Sequence, residues 1–144
     1  MKKNKILIIV AHRDDETFGC GGTIAKMAKE KNEIFAISMT DGISSRDKSK
    51  KLEIKQRHIN SIVSSKILGF KWLENLSGKF GDNKMDNENI LEVIKLIEKA
   101  KKQINPELVF THFPHDLNID HQIVSNATMT AFRPKTNEKC KKIL

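Results

Sequence analysis

Tyrosine is absent from this 144-residue chain, and tryptophan occurs once. A chain so poor in aromatic stacking surfaces is a weak candidate for nucleic-acid binding, despite its net charge of +8. The excess charge sits at the ends, in Lys2, Lys3 and Lys5 and in Arg133, Lys135, Lys139, Lys141 and Lys142, and the sequence between is close to balanced. Ends of that kind read as solvated tails, so no nucleic-acid partner is expected. Two cysteines, Cys20 and Cys140, cannot build a disulfide framework. No long hydrophobic run exists either: the longest, residues 6–11, is far too short for a transmembrane segment. It also fails as a signal peptide, because charged residues follow where a cleavage site needs small ones. The expectation is a soluble, cytoplasmic protein. With no repeat, no low-complexity tract and no glycine-, serine- or proline-rich linker, it forms a single domain.

What is present is an alternation of short apolar strands and amphipathic helices. Residues 6–11 form a β-branched run suited to a strand buried on both faces. Ile24, Met27 and Ala28 then recur at helical spacing to about Lys31. Residues 33–40 read as a second strand, closed by the turn pair Asp41-Gly42. A long helix carries Ile59, Ile62, Val63 and Ile67 on one stripe and stops at Gly69, a suitable C-cap. Residues 71–76 make a weak third strand. Residues 87–104 are the clearest helix, closed by Pro106. Residues 107–112 are the next strand, and residues 120–132 the last helix, stopped by Pro134. The alternation predicts an α/β fold, a Rossmann-like parallel sheet with helices on both faces.

In such sheets ligands bind beyond the carboxyl ends of the strands. Three polar clusters fall there: His12-Arg13-Asp14-Asp15-Glu16, Thr40-Asp41-Gly42, and the stretch from His112 to His121. A histidine and adjacent carboxylates straight after a buried strand are costly unless positive charge lies among them. Arg13 or a helix N-terminus near Glu16 offsets part of that cost; a divalent metal offsets more. His12 and Asp15, three apart on a turn, can converge on one ion, and His121 can complete the set. Two histidines and a carboxylate leave a position open for water, as in catalytic zinc sites. The competing reading makes Asp14 to Glu16 helix-capping acids and the histidines loop residues. His58, inside a helix, reads as surface.

Ala11-His12-Arg13-Asp14-Asp15-Glu16, followed by Gly19-Cys20-Gly21-Gly22-Thr23-Ile24, resembles the opening motif of the PIG-L (LmbE-like) zinc-dependent N-acetylglucosaminyl deacetylases. Asp116-Leu117-Asn118-Ile119-Asp120-His121 resembles the family's downstream motif. Lesser matches are Thr40-Asp41-Gly42, Arg57 and Phe80-Gly81-Asp82-Asn83. The resemblance implies that His12, Asp15 and His121 hold one Zn2+ and that Asp14 is the general base on its water. Asp120 is then the carboxylate that orients His121. Asp82 and Asn118 fall at substrate-facing positions, and the implied substrate is an N-acetylated amino sugar.

Several positions depart from the family pattern. Arg13 replaces a usual proline, either to meet an anionic substrate or to pair with an acid. Asn118 replaces a histidine that assists the intermediate, a role His115 is near enough to take. Asn60 stands where glutamate is common. The glycines at 19, 21 and 22 do not complete a dinucleotide fingerprint, since Ile24 takes the third glycine's place. A non-enzymatic receiver-like module is the alternative class; it needs an aspartate after the third strand and needs neither His12 nor His121. Residues 1–134 are expected to form the deacetylase domain. Residues 135–144 read as a basic tail and the start of a strand, so the fold is expected to be incomplete at the C-terminus, with poor activity or none.

Overall fold

The computed structural model describes residues 3–42 and 51–144. Five strands, β1 (Lys5–Val10), β2 (Glu33–Ser38), β3 (Lys71–Trp72), β4 (Leu108–Phe110) and β5 (Lys142–Ile143), form one sheet in the order β3-β2-β1-β4-β5. Every pairing is parallel. Four helices connect them: α1 (Asp15–Lys29), α2 (Lys51–Leu68), α3 (Ile90–Ile104) and α4 (Ile119–Ala131). The α/β expectation is met, with strands shorter than the apolar runs suggested. The weak third strand keeps two residues of the six expected, because Leu73 to Ser77 turn back on themselves through Leu76 N–H and Ser77 N–H to the Leu73 carbonyl.

The central strand shows how the sheet sorts its side chains. Ile6, Ile8 and Val10 point to the face covered by α1 and α2, where Ile24, Ile34, Phe70 and Trp72 join them. Leu7, Ile9 and Ala11 point to the other face, among Val93, Ile97, Val124 and Ala127 of α3 and α4. This two-residue alternation in an unbroken apolar run makes β1 the wall between two cores.

The stripe expected on α2 is met at Ile62, which packs on the core of this face, and is corrected at its other three positions. Ile59, Val63 and Ile67 are 43%, 50% and 77% exposed, while Ser61 and Ser65 are buried. The serines are small enough for close approach, and their hydroxyls donate to the carbonyls of His58 and Ile62 within the helix. Ser64 Oγ lies 2.9 Å from Thr17 Oγ1 of α1. The C-cap is as expected: Gly69 has φ +85°, and a Cβ there would lie 2.6 Å from the Ala28 methyl.

The order of strands reverses between β1 and β4, with β2 and β3 on one side and β5 on the other. This switch point opens a crevice at the carboxyl ends of β1 and β4. The segment expected to begin a strand near Ile143 does so: Lys142 and Ile143 pair with Leu108 and Val109.

Candidate metal centre at the switch point

His12 leaves the end of β1 and Asp15 opens α1, three residues on. His121 stands in the first turn of α4, whose N-terminus is capped by the Asn118 side chain accepting from Asp120 N–H at 2.9 Å. The fold brings the three together. His12 Nδ1 lies 3.2 Å from His121 Nε2 and 3.3 Å from Asp15 Oδ2, and His121 Nε2 lies 3.4 Å from the same oxygen. Four ligands on a tetrahedral ion with bonds of about 2.0–2.1 Å stand about 3.3–3.4 Å apart. The donor set and its spacing therefore fit a divalent metal of that kind.

Behind His12 lies a second group of acids. His12 Nε2 is 3.0 Å from Asp82 Oδ1 and 3.2 Å from Asp120 Oδ2, and both acids are buried. Asp120 is held by the backbone N–H groups of Asn83 and Met85 at 2.7 and 3.2 Å. In the neutral tautomer that donates Nε2–H to these carboxylates, the lone pair of Nδ1 faces Asp15 and His121. Two expectations are corrected here. Asp120 supports His12, not His121, because the 83–85 backbone draws its carboxylate under the end of β1. Asp82, assigned to the substrate side by the resemblance, is only 6% exposed and packs against His12.

The acid on His121 is Asp116, whose Oδ2 lies 3.0 Å from Nδ1. Its motif was legible in the sequence, but its role depends on a turn in which Asp116 Oδ1 accepts from Asn118 N–H at 2.9 Å. His112, at the end of β4, is assigned no role by the sequence. It accepts the Ala11 N–H at 2.8 Å and stacks on His121 with ring centroids 3.9 Å apart. His115 packs edge-on against Phe113 on the exposed side of the loop.

The charges in the cluster support one another. Burial raises the pKa of Asp15, but hydrogen bonds from His12 and His121 outweigh it and hold the carboxyl well below its ordinary range. Burial lowers His121, yet Asp15 and Asp116 lift it to about 9. His12 is raised in the same way, with burial opposed chiefly by Asp15. His112 goes the other way, lowered to about 4 by burial and by the charge of His121. Burial also raises Glu16, which is 1% exposed.

Asp14 stands apart from its neighbours. Its Oδ2 accepts from Arg57 of α2 at 2.7 Å, and its side chain is 41% exposed. Arg13, which the sequence left between two partners, pairs with an acid: its guanidinium binds Glu74 at 2.5 Å and lies 4.7 Å over the Trp72 ring. A cleft of about 320 Å³ opens beside these groups, lined by Arg13, Asp14, Phe18, Arg57 and Asn60. Thr40 forms an isolated parallel bridge with Phe80. Asp41 N–H donates to the Phe80 carbonyl at 3.0 Å, which brings the loop carrying Asp82 over the sheet.

The PIG-L family model, described as GlcNAc-PI de-N-acetylase, matches residues 7–132. The chain belongs to the PIG-L family. Among PIG-L relatives, it is 33% identical to the uncharacterized deacetylase YaiS of Escherichia coli (strain K12), over 92% of this chain and 70% of that one. It is 26% identical to a probable N-acetyl-alpha-D-glucosaminyl L-malate deacetylase 2 of Bacillus cereus, over 88% of this chain and 60% of the relative. The conserved protein TT1542 of Thermus thermophilus shares the fold, with a TM-score of 0.78 at 22% identity, over 97% of this chain and 64% of that one. So does the N,N'-diacetylchitobiose deacetylase of Pyrococcus horikoshii, with a TM-score of 0.72 at 24% identity, over 94% and 52%. This PIG-L chain thus spans roughly half to two thirds of the length of most of these proteins. Receiver-like signalling is disfavoured by the site itself, since Leu73, Glu74 and Asn75 follow β3 where a phosphoacceptor aspartate would stand.

Proposed function

We propose that this chain carries the catalytic centre of a zinc-dependent hydrolase that removes the acetyl group from an N-acetylated amino sugar, of the N-acetylglucosamine-conjugate type. The observation that carries the reading is the tetrahedral spacing of His12 Nδ1, Asp15 Oδ2 and His121 Nε2 beside a carboxylate, Asp14, that is not part of the cluster. The names of the Bacillus and Pyrococcus relatives both include N-acetylated sugar units, which supports the substrate class.

When bound, zinc supplies Lewis acidity toward the amide oxygen and lowers the pKa of water toward ~7. The remaining work falls to side chains. Asp14 takes the proton from the attacking water and hands it to the departing amine. Arg57 fixes the Asp14 carboxylate through one charge-assisted bond, and the exposure of Asp14 gives it access to the cleft. Asp116 holds His121 from its Nδ1 side, and Asp82 with Asp120 hold His12 from its Nε2 side. Asn118 has its Oδ1 committed to capping α4, so its amide NH2 is the group that can reach a substrate oxygen.

Zinc content and acetyl release from a panel of N-acetylglucosamine conjugates test the proposal together. The parent is expected to hold one zinc per chain, and His121→Ala to lose it. Undiminished zinc in His121→Ala would remove the ligand assignment; zinc without acetyl release on any conjugate would remove the substrate class.

A further inference from the structure

The fourth histidine of the cluster has no place in the ligand set. His112 Nε2 lies 3.4 Å from Asp15 Oδ2, close enough to be mistaken for a ligand. Its lone pair is already used, because the backbone N–H of Ala11, at the end of β1, donates into it at 2.8 Å. That bond joins β1 to β4 beyond the last paired residues, Ile8 and Phe110. The same bond, with the burial of a side chain only 9% exposed, holds the His112 ring against the scaffold. The face of that ring then meets His121, centroid to centroid at 3.9 Å with 11° between the planes. Asp116 meets His121 at Nδ1 and Asp15 meets it at Nε2, contacts that leave rotation about the line between those two atoms unopposed. The stack removes that freedom.

We propose that His112 is a positioning residue for the metal centre, an immobile plate that sets the plane of His121 and bounds Asp15 without binding the metal itself. The inference rests on the zinc reading above and adds a division of labour within the histidines. It predicts that the two properties of His112 separate. The ring face controls metal affinity, and the Nε2 acceptor controls the strand junction.

Two variants separate them. His112→Gln keeps an acceptor at similar reach and removes the ring; His112→Phe keeps the ring and removes the acceptor. Zinc affinity is measured by competition with a chromophoric chelator, and ligand geometry by the visible absorption of the cobalt-substituted protein. Each variant's folding is checked by circular dichroism. His112→Gln is expected to weaken zinc about 10–100-fold, the usual cost of losing a group that orients a ligand, and to alter the cobalt spectrum. His112→Phe is expected to keep the parent's affinity to within about threefold and the parent's spectrum, at a lower Tm because Ala11 N–H loses its acceptor. If His112→Phe does not fold, His112→Tyr takes its place. Unchanged zinc affinity in folded His112→Gln overturns the inference, and so does equal loss in both variants, the mark of a true ligand. A parent that binds no zinc would instead defeat the zinc reading on which the inference stands.

Discussion

Helices α3 and α2 lie on opposite faces of the sheet and bury different mixtures of surface. α3 turns Val93, Leu96, Ile97, Ala100 and Ile104 inward and is closed by Asn89 at one end and left-handed Asn105 at the other. α2 turns Ser61 and Ser65 inward beside the half-buried Ile62 and Leu68, and leaves Ile59, Val63 and Ile67 exposed. The difference follows from what each helix holds. α3 packs its inward face on the apolar core, so that face is written in apolar residues at helical spacing. α2 presents Arg57 to Asp14 and Ser61 Oγ to Arg13, contacts that need polar groups at close range. Hydrophobic periodicity finds the face of a packing helix and misplaces the face of a helix that serves a site.

Several measurements can break or sharpen that contrast. The largest effect is expected on the site side. Asp14→Asn should lower kcat about 10²–10⁴-fold with zinc retained, and Asp15→Asn should lose the metal. Equal zinc loss in the two would erase the distinction between them. On the packing side, Ile97→Ala removes a fully buried side chain from α3 and should cost about 2–5 kcal/mol in denaturant unfolding, with zinc affinity unchanged. A smaller effect concerns the junction between α3 and residues 135–144, where Lys101 binds Glu138. Burial raises the Glu138 carboxyl, but the bond from Lys101 outweighs it and leaves the folded pKa below the ordinary 4.5. A depressed carboxylate stabilises the fold above the unfolded value and loses that contribution as pH falls through the folded one. Thermal melts of the parent and Glu138→Gln should therefore differ at pH 7 by an amount corresponding to ~1 kcal/mol or less, and converge in acid below 4.5. A gap that persists in acid would mean that the charge is not responsible. The smallest effect is expected at Ile67→Ser on the exposed side of α2, within about 0.5 kcal/mol of the parent. A larger loss of stability there would show that α2 buries this stripe after all.

Much of the architecture was legible in the residues. The unbroken run before His12 marked the central strand, and Pro106 and Pro134 marked where helices end. The three residues of the candidate metal centre, His12, Asp15 and His121, were legible too, because their types and their places at two strand ends agree with one chemistry. The supporting acids were not. Asp120 and Asp116 both lie within a few residues of His121, and sequence distance favours the adjacent one. The choice is made by backbone N–H groups of residues 83 and 85, which hold Asp120 under His12. Only the folded loop decides that. His112 was hidden for a similar reason: its acceptor role depends on Ala11, 101 positions away.

The placement of β1 between β2 and β4 also has a consequence for how the molecule is assembled. Its neighbour on one side, β2, begins at Glu33, and its neighbour on the other, Leu108–Phe110, comes about a hundred residues after β1 itself. Chains grow at roughly 5–20 residues per second, so one edge of an isoleucine-rich strand stays open for about 5–20 s during synthesis. Local pairing with β2 and the covering helix α1 form early, whereas closure of the second edge is a long-range event with a high loop-closure cost. The same closure brings His121 to His12, since those residues ride on the ends of β1 and α4. Of the five strands described, β1 lies deepest and waits longest for its second neighbour.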